Sequence, residues 1–198
     1  MSEIRTETQT TTVAPLSATQ SRSAHRLLAV AIAVLATTLG AYAEVSLPGS
    51  IVPVTLQSMV VILAGALLGP TLGASSQVAY LALGAAGLPV FAAGGAGLPH
   101  LLGPTGGYLL SFPVAAFAAG AIAGPARRGL LPNARLFVAL LIASLVIFAG
   151  GVPYLASFVG VERAIAVGFT PFILGSVLKL GGAFAVAYRL RERTLRLL

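Results

Sequence analysis

Lys179 is the only lysine of the chain, and it lies inside a long apolar stretch, 168–188. A cation at the centre of a bilayer costs about 2.5–3.5 kcal/mol on insertion scales, so it normally faces a protein interior or a watery cavity and has a partner there. The nearest acidic residues, Glu162 and Glu192, only flank this stretch. An anion from outside, such as a small carboxylate ligand, is therefore the counter-ion that the sequence suggests.

A few further polar or glycine residues are candidates for ligand contact. Ser176 lies three residues before Lys179 and shares its helix face, although its hydroxyl can instead bond the helix backbone. Gln57 and Tyr80 lie in apolar stretches, where interhelical hydrogen bonding is the alternative role. The remaining candidates are aromatic residues and glycines near a glycine-rich loop: Phe91, Gly94, Gly95 and Tyr108.

The residue types that catalysis needs are scarce. The chain has neither Cys nor Asp, and His100 and His25 are its only histidines. No paired carboxylates, Ser/His/Asp set, thiol or zinc-binding HExxH motif is present. We therefore expect no enzyme, no catalytic residue, no metal site and no cofactor.

The composition is that of an integral membrane protein. Hydrophobic residues make up 57% and charged residues 9%, with a mean hydropathy of +0.96. A helix needs about 20 mostly apolar residues to cross the hydrocarbon core. We predict an all-α fold with six transmembrane helices, or five if the two short spans around Gly69-Pro70 are one; the six are 26–43, 54–68, 71–86, 106–124, 135–156 and 168–188.

Arginine placement favours six spans over five. Cytoplasmic loops carry an excess of Lys and Arg. Arginines lie before span one, between spans four and five, and after span six. With six spans these three regions are on one side of the membrane, and only Arg163 is on the other. Both termini are then cytoplasmic in a plasma membrane of the bacterial inner-membrane type. The net charge of +7 reflects this topology and contact with lipid headgroups, so we expect no nucleic-acid partner.

The chain divides into a membrane domain and two polar tails. Residues 1–23 are predicted to be a disordered cytoplasmic tail, 24–190 the six-helix membrane domain, and 191–198 a basic cytoplasmic tail. An alternative is that span one is a secretory signal segment, because Ala41-Tyr42-Ala43 imitates a cleavage site. The length of its apolar run and the five spans that follow argue against this.

Two small-residue features suggest further roles. The loop 87–107 is too glycine-rich for a helix and is predicted to be a lid over an outward-facing pocket. Ala29 and Ala33 form an AxxxA pair on span one, which indicates either packing within the bundle or docking of another membrane protein.

An ordered set of short motifs resembles the BioY family, the substrate-binding S components of energy-coupling-factor biotin transporters. The resemblance covers roughly residues 26–188, and its motifs are VPVTLQ (52–57), LAGALLGP (63–70), GLPVF (87–91), GPTGGY (103–108), GVPY (151–154) and TPFILGSVLK (170–179).

The resemblance implies an S-component fold with a biotin pocket near the outer face and a lid made by the loops after spans one, three and five. It implies that Lys179 contributes to biotin binding and that Ala29 and Ala33 dock a transmembrane coupling protein, which works with two ATPase subunits.

The chain departs from the family at two positions. Many relatives have an aspartate in place of Ser176, and some have an arginine in place of Ala96. An S component for another small carboxylate vitamin is therefore one alternative, and a non-transporting structural membrane protein is another.

Overall fold

The computed structural model describes residues 16–45, 52–125 and 129–197, and within them the fold is almost entirely helical. The helices are α1 (Leu16–Tyr42), α2 (Gln57–Leu68), α3 (Pro70–Ala85), α4 (Gly97–Leu101), α5 (Gly106–Leu110), α6 (Phe112–Ala123), α7 (Leu130–Val159), α8 (Val161–Gly168) and α9 (Phe172–Leu197). Two short strands, β1 (Glu44–Val45) and β2 (Val54–Thr55), form an antiparallel hairpin in which Glu44 lies opposite Thr55.

The expected helical membrane architecture is confirmed. Four helical stretches of the described residues are long and apolar enough to cross a bilayer: Ser23–Tyr42, Gly106–Ala123, Leu131–Val159 and Phe172–Leu197. Helices α2 and α3 coincide with the predicted second and third spans but have only 12 and 16 residues. The count of six crossings and the side of each terminus stay predictions.

The helices extend into both segments that were expected to be tails. Helix α1 begins at Leu16 and α9 continues to Leu197. Residues 1–15, together with Arg127 and Arg128 of the predicted cytoplasmic loop, lie outside the described residues. The lid loop also differs from expectation, because it contains the short helix α4 despite its glycines. Pro99, in the first turn of α4, favours a helix start there.

Helix α2 is the centre of the bundle and packs against α1, α3, α6 and α9. Glycine makes this packing possible. A Cβ at Gly65 would collide with the backbone of Ala116 on α6, and a Cβ at Gly120 would collide with the backbone at Gly69 and Pro70. Backbones approach this closely in membrane bundles only where side chains are absent or small. Gly65 and Gly120 therefore pack helices within this chain.

The alanine pair on α1 lies mainly inside the bundle. Ala33 is buried within the chain, and Ala29, one turn earlier, is half-buried. Farther along the same face, Thr37 accepts a hydrogen bond from Gln77 Nε2 on α3 at 3.3 Å. This face of α1 thus packs against its own chain near Ala33, and Ala29 is the more accessible member of the pair. The docking role of the pair stays a prediction.

One end of the bundle is tied by an arginine. Arg191 of α9 is buried, and its Nε donates to the carbonyl of Ala66 at 2.9 Å while its Nη2 donates to that of Gly124. These carbonyls lie at the C-terminal ends of α2 and α6, where unsatisfied acceptors and the helix dipole favour a cation. Arg191 therefore joins three helices at this end.

We expect Gly65→Ala to destabilise the protein, because the added methyl group meets backbone that cannot move aside without separating α2 from α6. Overpacking of this kind costs about 1–3 kcal/mol. The measurement is the thermal unfolding midpoint of the purified protein in detergent.

The matched control for this variant is Gly181→Ala on α9, where an added Cβ meets nothing within 4 Å. Alanine is favoured over glycine in a helix by about 0.8–1 kcal/mol, so this midpoint should stay or rise. Equal losses in both variants would contradict the packing argument.

Candidate ligand-binding site

A cavity of about 480 Å³ opens between α2, α7, α9, the β-hairpin and the loop 92–105. This volume is within the range of roughly 300–1,000 Å³ that small-molecule sites occupy. Of the candidate residues, the cavity wall contains Gln57, Tyr108, Ser176 and Lys179. It also contains Glu44, Thr55, Ser58, Ala92, Ala93, His100, Phe112, Ser144, Ile147, Phe148 and Phe172.

Lys179 lies at the cavity as the sequence led us to expect. Its Nζ donates to Ser58 Oγ at 3.4 Å, which is a long hydrogen bond for a cation. Among the described residues, no carboxylate forms an ion pair with it. Ser176 lines the cavity one turn earlier on α9. An ammonium group with spare donors therefore lies beside a cavity of ligand size.

Gln57 and Tyr80 belong to one hydrogen-bonded chain, but only Gln57 lines the cavity. Gln57 Nε2 donates to Tyr80 Oη at 2.6 Å, and Tyr80 Oη donates to the carbonyl of Val90 at 2.8 Å. Tyr80 is completely buried behind this contact. Tyr80 therefore orients Gln57 and fixes the backbone at the start of the lid loop. We expected Tyr80 to contact a ligand, but it does not line the cavity.

Tyr108 lines the cavity, and its hydroxyl is already hydrogen-bonded to the protein backbone. Its Oη donates to the carbonyl of Gly168, the last residue of α8, at 2.8 Å. The ring packs edge-on to Phe148 at a centroid separation of 6.4 Å. Phe112, Phe148 and Phe172 also line the cavity, so its wall has aromatic as well as polar groups.

The glycine-rich turn is arranged differently from our expectation. Phe91 is fully buried beneath the turn, where it stacks on His100 at 5.1 Å and contacts the Tyr80 ring edge-on at 5.5 Å. Gly94 and Gly95 are not in the cavity wall, whereas Ala92 and Ala93 are. Phe91 thus anchors the turn. Gly94 has a positive φ of 70°, and a Cβ at Gly95 would collide with the His100 ring.

Several cavity residues were missed in the sequence. Glu44 follows the first span and belongs to no motif. Ser144 is a serine within an apolar helix, where nothing in the sequence marks it. Phe148 and Phe172 lie in apolar stretches and were not singled out. A helical projection of α7 would have put Ser144, Ile147 and Phe148 on one face, which is the one signal that was available.

With this geometry established, known proteins can be compared. The model of the BioY family matches residues 9–196. The chain belongs to the BioY family. A probable biotin transporter BioY of Pyrococcus horikoshii is 43% identical over 165 residues, which are 83% of this chain and 95% of that protein. The biotin transporter BioY of Thermotoga maritima is 39% identical over 152 residues, 76% of this chain and 87% of that one.

A solved BioY-like structure has the same fold. The crystal structure of the S-component for biotin from an ECF-type ABC transporter superposes with a TM-score of 0.76 at 25% identity, covering 86% of this chain and 93% of that chain. The resemblance stated from the motifs is therefore confirmed, and so is the S-component fold. The relatives are transporters, so this BioY member belongs to a transport family and not to an enzyme family.

The half-buried position of His100 predicts a pH dependence of stability. Burial lowers the pKa of His100, so the folded protein binds this proton less readily than the unfolded chain does. Stability should therefore fall as the pH drops below about 6.5, the pKa of an unperturbed histidine, until the lower folded pKa is reached. The measurement is the thermal midpoint as a function of pH.

His100→Phe is the informative variant, because it keeps a ring on Phe91 and removes the titrating group. We expect a flatter pH profile for this variant below about pH 6.5. His25→Phe removes the other histidine of the chain and is measured alongside as the control. An unchanged slope in His100→Phe would show that another group is responsible.

Proposed function

We propose that this BioY member is the biotin-binding subunit of an uptake transporter. The observation that carries the proposal is the Lys179 ammonium beside the cavity of about 480 Å³, without a carboxylate ion pair among the described residues. The names of the relatives and the structural neighbour support biotin as the ligand.

The cavity suits the chemistry of biotin. Its aromatic wall, which includes Tyr108 and Phe148, provides apolar contact for the bicyclic ring and the aliphatic chain. Lys179 donates to an oxygen of the ligand, and Ser58 and Ser176 lie beside it with hydroxyl groups that can donate or accept. Gln57, held by Tyr80, presents its remaining amide atoms to the ligand.

The proposal includes partners and a location. The subunit works in the cytoplasmic membrane with a transmembrane coupling protein and two ATPase subunits, which provide the energy. It crosses the membrane six times, with both termini inside and the cavity near the outer face. The description of the structural neighbour as a component of an ECF-type ABC transporter supports this assembly.

Equilibrium binding of labelled biotin to the purified protein in detergent tests the ligand. We expect Lys179→Met to weaken binding by about 10- to 100-fold, because a hydrogen bond to a charged group is worth about 1.5–3 kcal/mol. Lys179→Arg should keep part of the affinity, since it keeps the charge. Arg163→Met removes a cation outside the cavity wall and is the matched control.

The competitors in the same assay identify the ligand and its orientation. Weaker competition by biotin methyl ester than by biotin would place the carboxylate at a cation, and equal competition would place the ureido oxygen at Lys179. No binding of biotin by folded protein would reject the ligand, and other small carboxylates would be tested next. A structural membrane protein would bind none of them.

Assembly is tested through α1. We expect Ala29→Leu to reduce co-purification of the coupling protein and ATPases while leaving biotin affinity unchanged, because Ala29 is half-buried at the accessible end of the pair and far from the cavity wall. Ala31→Leu adds the same bulk on the exposed side of α1 and should assemble normally. Equal recovery of partners with both variants would reject docking at this face.

A further inference from the structure

The carboxylate of Glu44 joins two parts of the cavity rim that are far apart in sequence. Glu44 lies in β1, just after α1, and its Oε2 accepts a hydrogen bond from the backbone N–H of Ala93 at 3.1 Å. Both residues are in the cavity wall. Glu44 makes no ion pair with Lys179 or any other described cation, so its bond to Ala93 is its main polar interaction in the described part of the chain.

Ala93 has a backbone conformation that needs external support. Its φ is 53° and its ψ is 27°, and it is the one described residue other than glycine with positive φ. The left-handed region is unfavourable for alanine because its Cβ approaches the carbonyl oxygen. Non-glycine residues stay in this region only where the surrounding structure determines them. The hydrogen bond from Ala93 N–H to Glu44 is a direct constraint of this kind.

Hydrogen bonds and ring contacts hold the turn 91–95 on both sides of Ala93. Ala93 is therefore the position at which the turn can open. Phe91 N–H donates to the carbonyl of Gly95 at 3.1 Å, and Gly95 N–H donates to that of Ala92 at 2.9 Å. Tyr42 at the end of α1 donates to the carbonyl of Pro89 at 2.5 Å. The buried Phe91 ring holds the turn from below. The Glu44 contact therefore holds Ala93, a position of the turn that these other contacts do not hold.

Resting on the proposed function for the identity of its ligand, we propose that Glu44 is a positioning residue that clips the turn 91–95 to the end of α1 and so keeps Ala92 and Ala93 over the cavity. The clip is broken when ligand enters or leaves, and its closure retains bound ligand. Glu44 acts through the backbone of Ala93, and its charge makes no contact with the ligand.

This role predicts a specific pattern of dissociation rates. Glu44→Ala removes the acceptor, and we expect biotin to dissociate about 10-fold faster, since a charge-assisted hydrogen bond of the closed state is lost. Glu44→Gln keeps an acceptor oxygen at the same place and should stay within about 3-fold of the original rate. Glu162→Ala removes a carboxylate from α8, outside the cavity wall, and should change nothing.

A second substitution separates positioning from direct ligand contact. Glycine adopts positive φ without steric cost, so Ala93→Gly removes the strain that the clip opposes. We expect biotin to dissociate from the double variant, Glu44→Ala with Ala93→Gly, nearly as slowly as from the original protein. Failure of this rescue, or a Glu44→Gln variant as fast as Glu44→Ala, would overturn the proposal and indicate that the carboxylate contacts the ligand itself.

Amide hydrogen exchange without ligand tests the clip independently of biotin. We expect the peptide that contains residues 91–95 to exchange about 10-fold faster in Glu44→Ala than in the original protein, and peptides of α6 to exchange equally in both. Unchanged exchange in 91–95 would overturn the clip even if biotin binds. Faster exchange in a protein that binds no biotin would support the clip and reject the proposed ligand.

Discussion

The close contact of α2 with α6 is the constraint on which the rest of the structure depends. Helix packing in a bilayer gains little from the hydrophobic effect, so it relies on backbones that approach closely and on satisfied polar groups. Gly65 against Ala116 and Gly120 against Gly69 provide that approach. Because α2 is then fixed in the centre, the two polar residues at its start, Gln57 and Ser58, face the cavity together with Lys179 of α9.

Around this centre, most polar side chains inside the apolar bundle have a hydrogen-bond partner or line the cavity, and the buried Oε1 of Gln77 is the exception among the described residues. Tyr108 and Tyr80 donate to backbone carbonyls, and Arg191 binds the ends of two helices. In lipid these groups would be costly without such partners. Lys179 is different, because its single hydrogen bond leaves most of its donors facing the cavity. That difference distinguishes the groups that hold the bundle together from the one that we propose binds the ligand.

The sequence predicted the helical membrane fold, the family and a cation at the cavity, because each depends on strong local signals: long apolar stretches, ordered motifs and a charge in an apolar helix. It did not predict whether a buried aromatic side chain lines the cavity or lies behind the cavity wall. Tyr80 and Phe91 lie behind the wall because of contacts with Gln57 and His100 that no spacing reveals. Glu44 was missed because its contact with Ala93 joins positions 49 residues apart.

The shortness of α3 has a consequence for the surrounding lipid. Its 16 residues span about 24 Å, whereas the hydrocarbon core of a bilayer is about 30 Å thick. Val78 and Leu83 on the outer side of α3 are exposed, so this side of the helix is not covered by another helix of the described chain. A short hydrophobic surface is accommodated by local thinning of the bilayer, at a fraction of a kcal/mol per ångström of mismatch. In the six-span topology that we propose, the membrane beside α3 would be thinned on this flank, and bilayer thickness would then affect the tilt of the subunit.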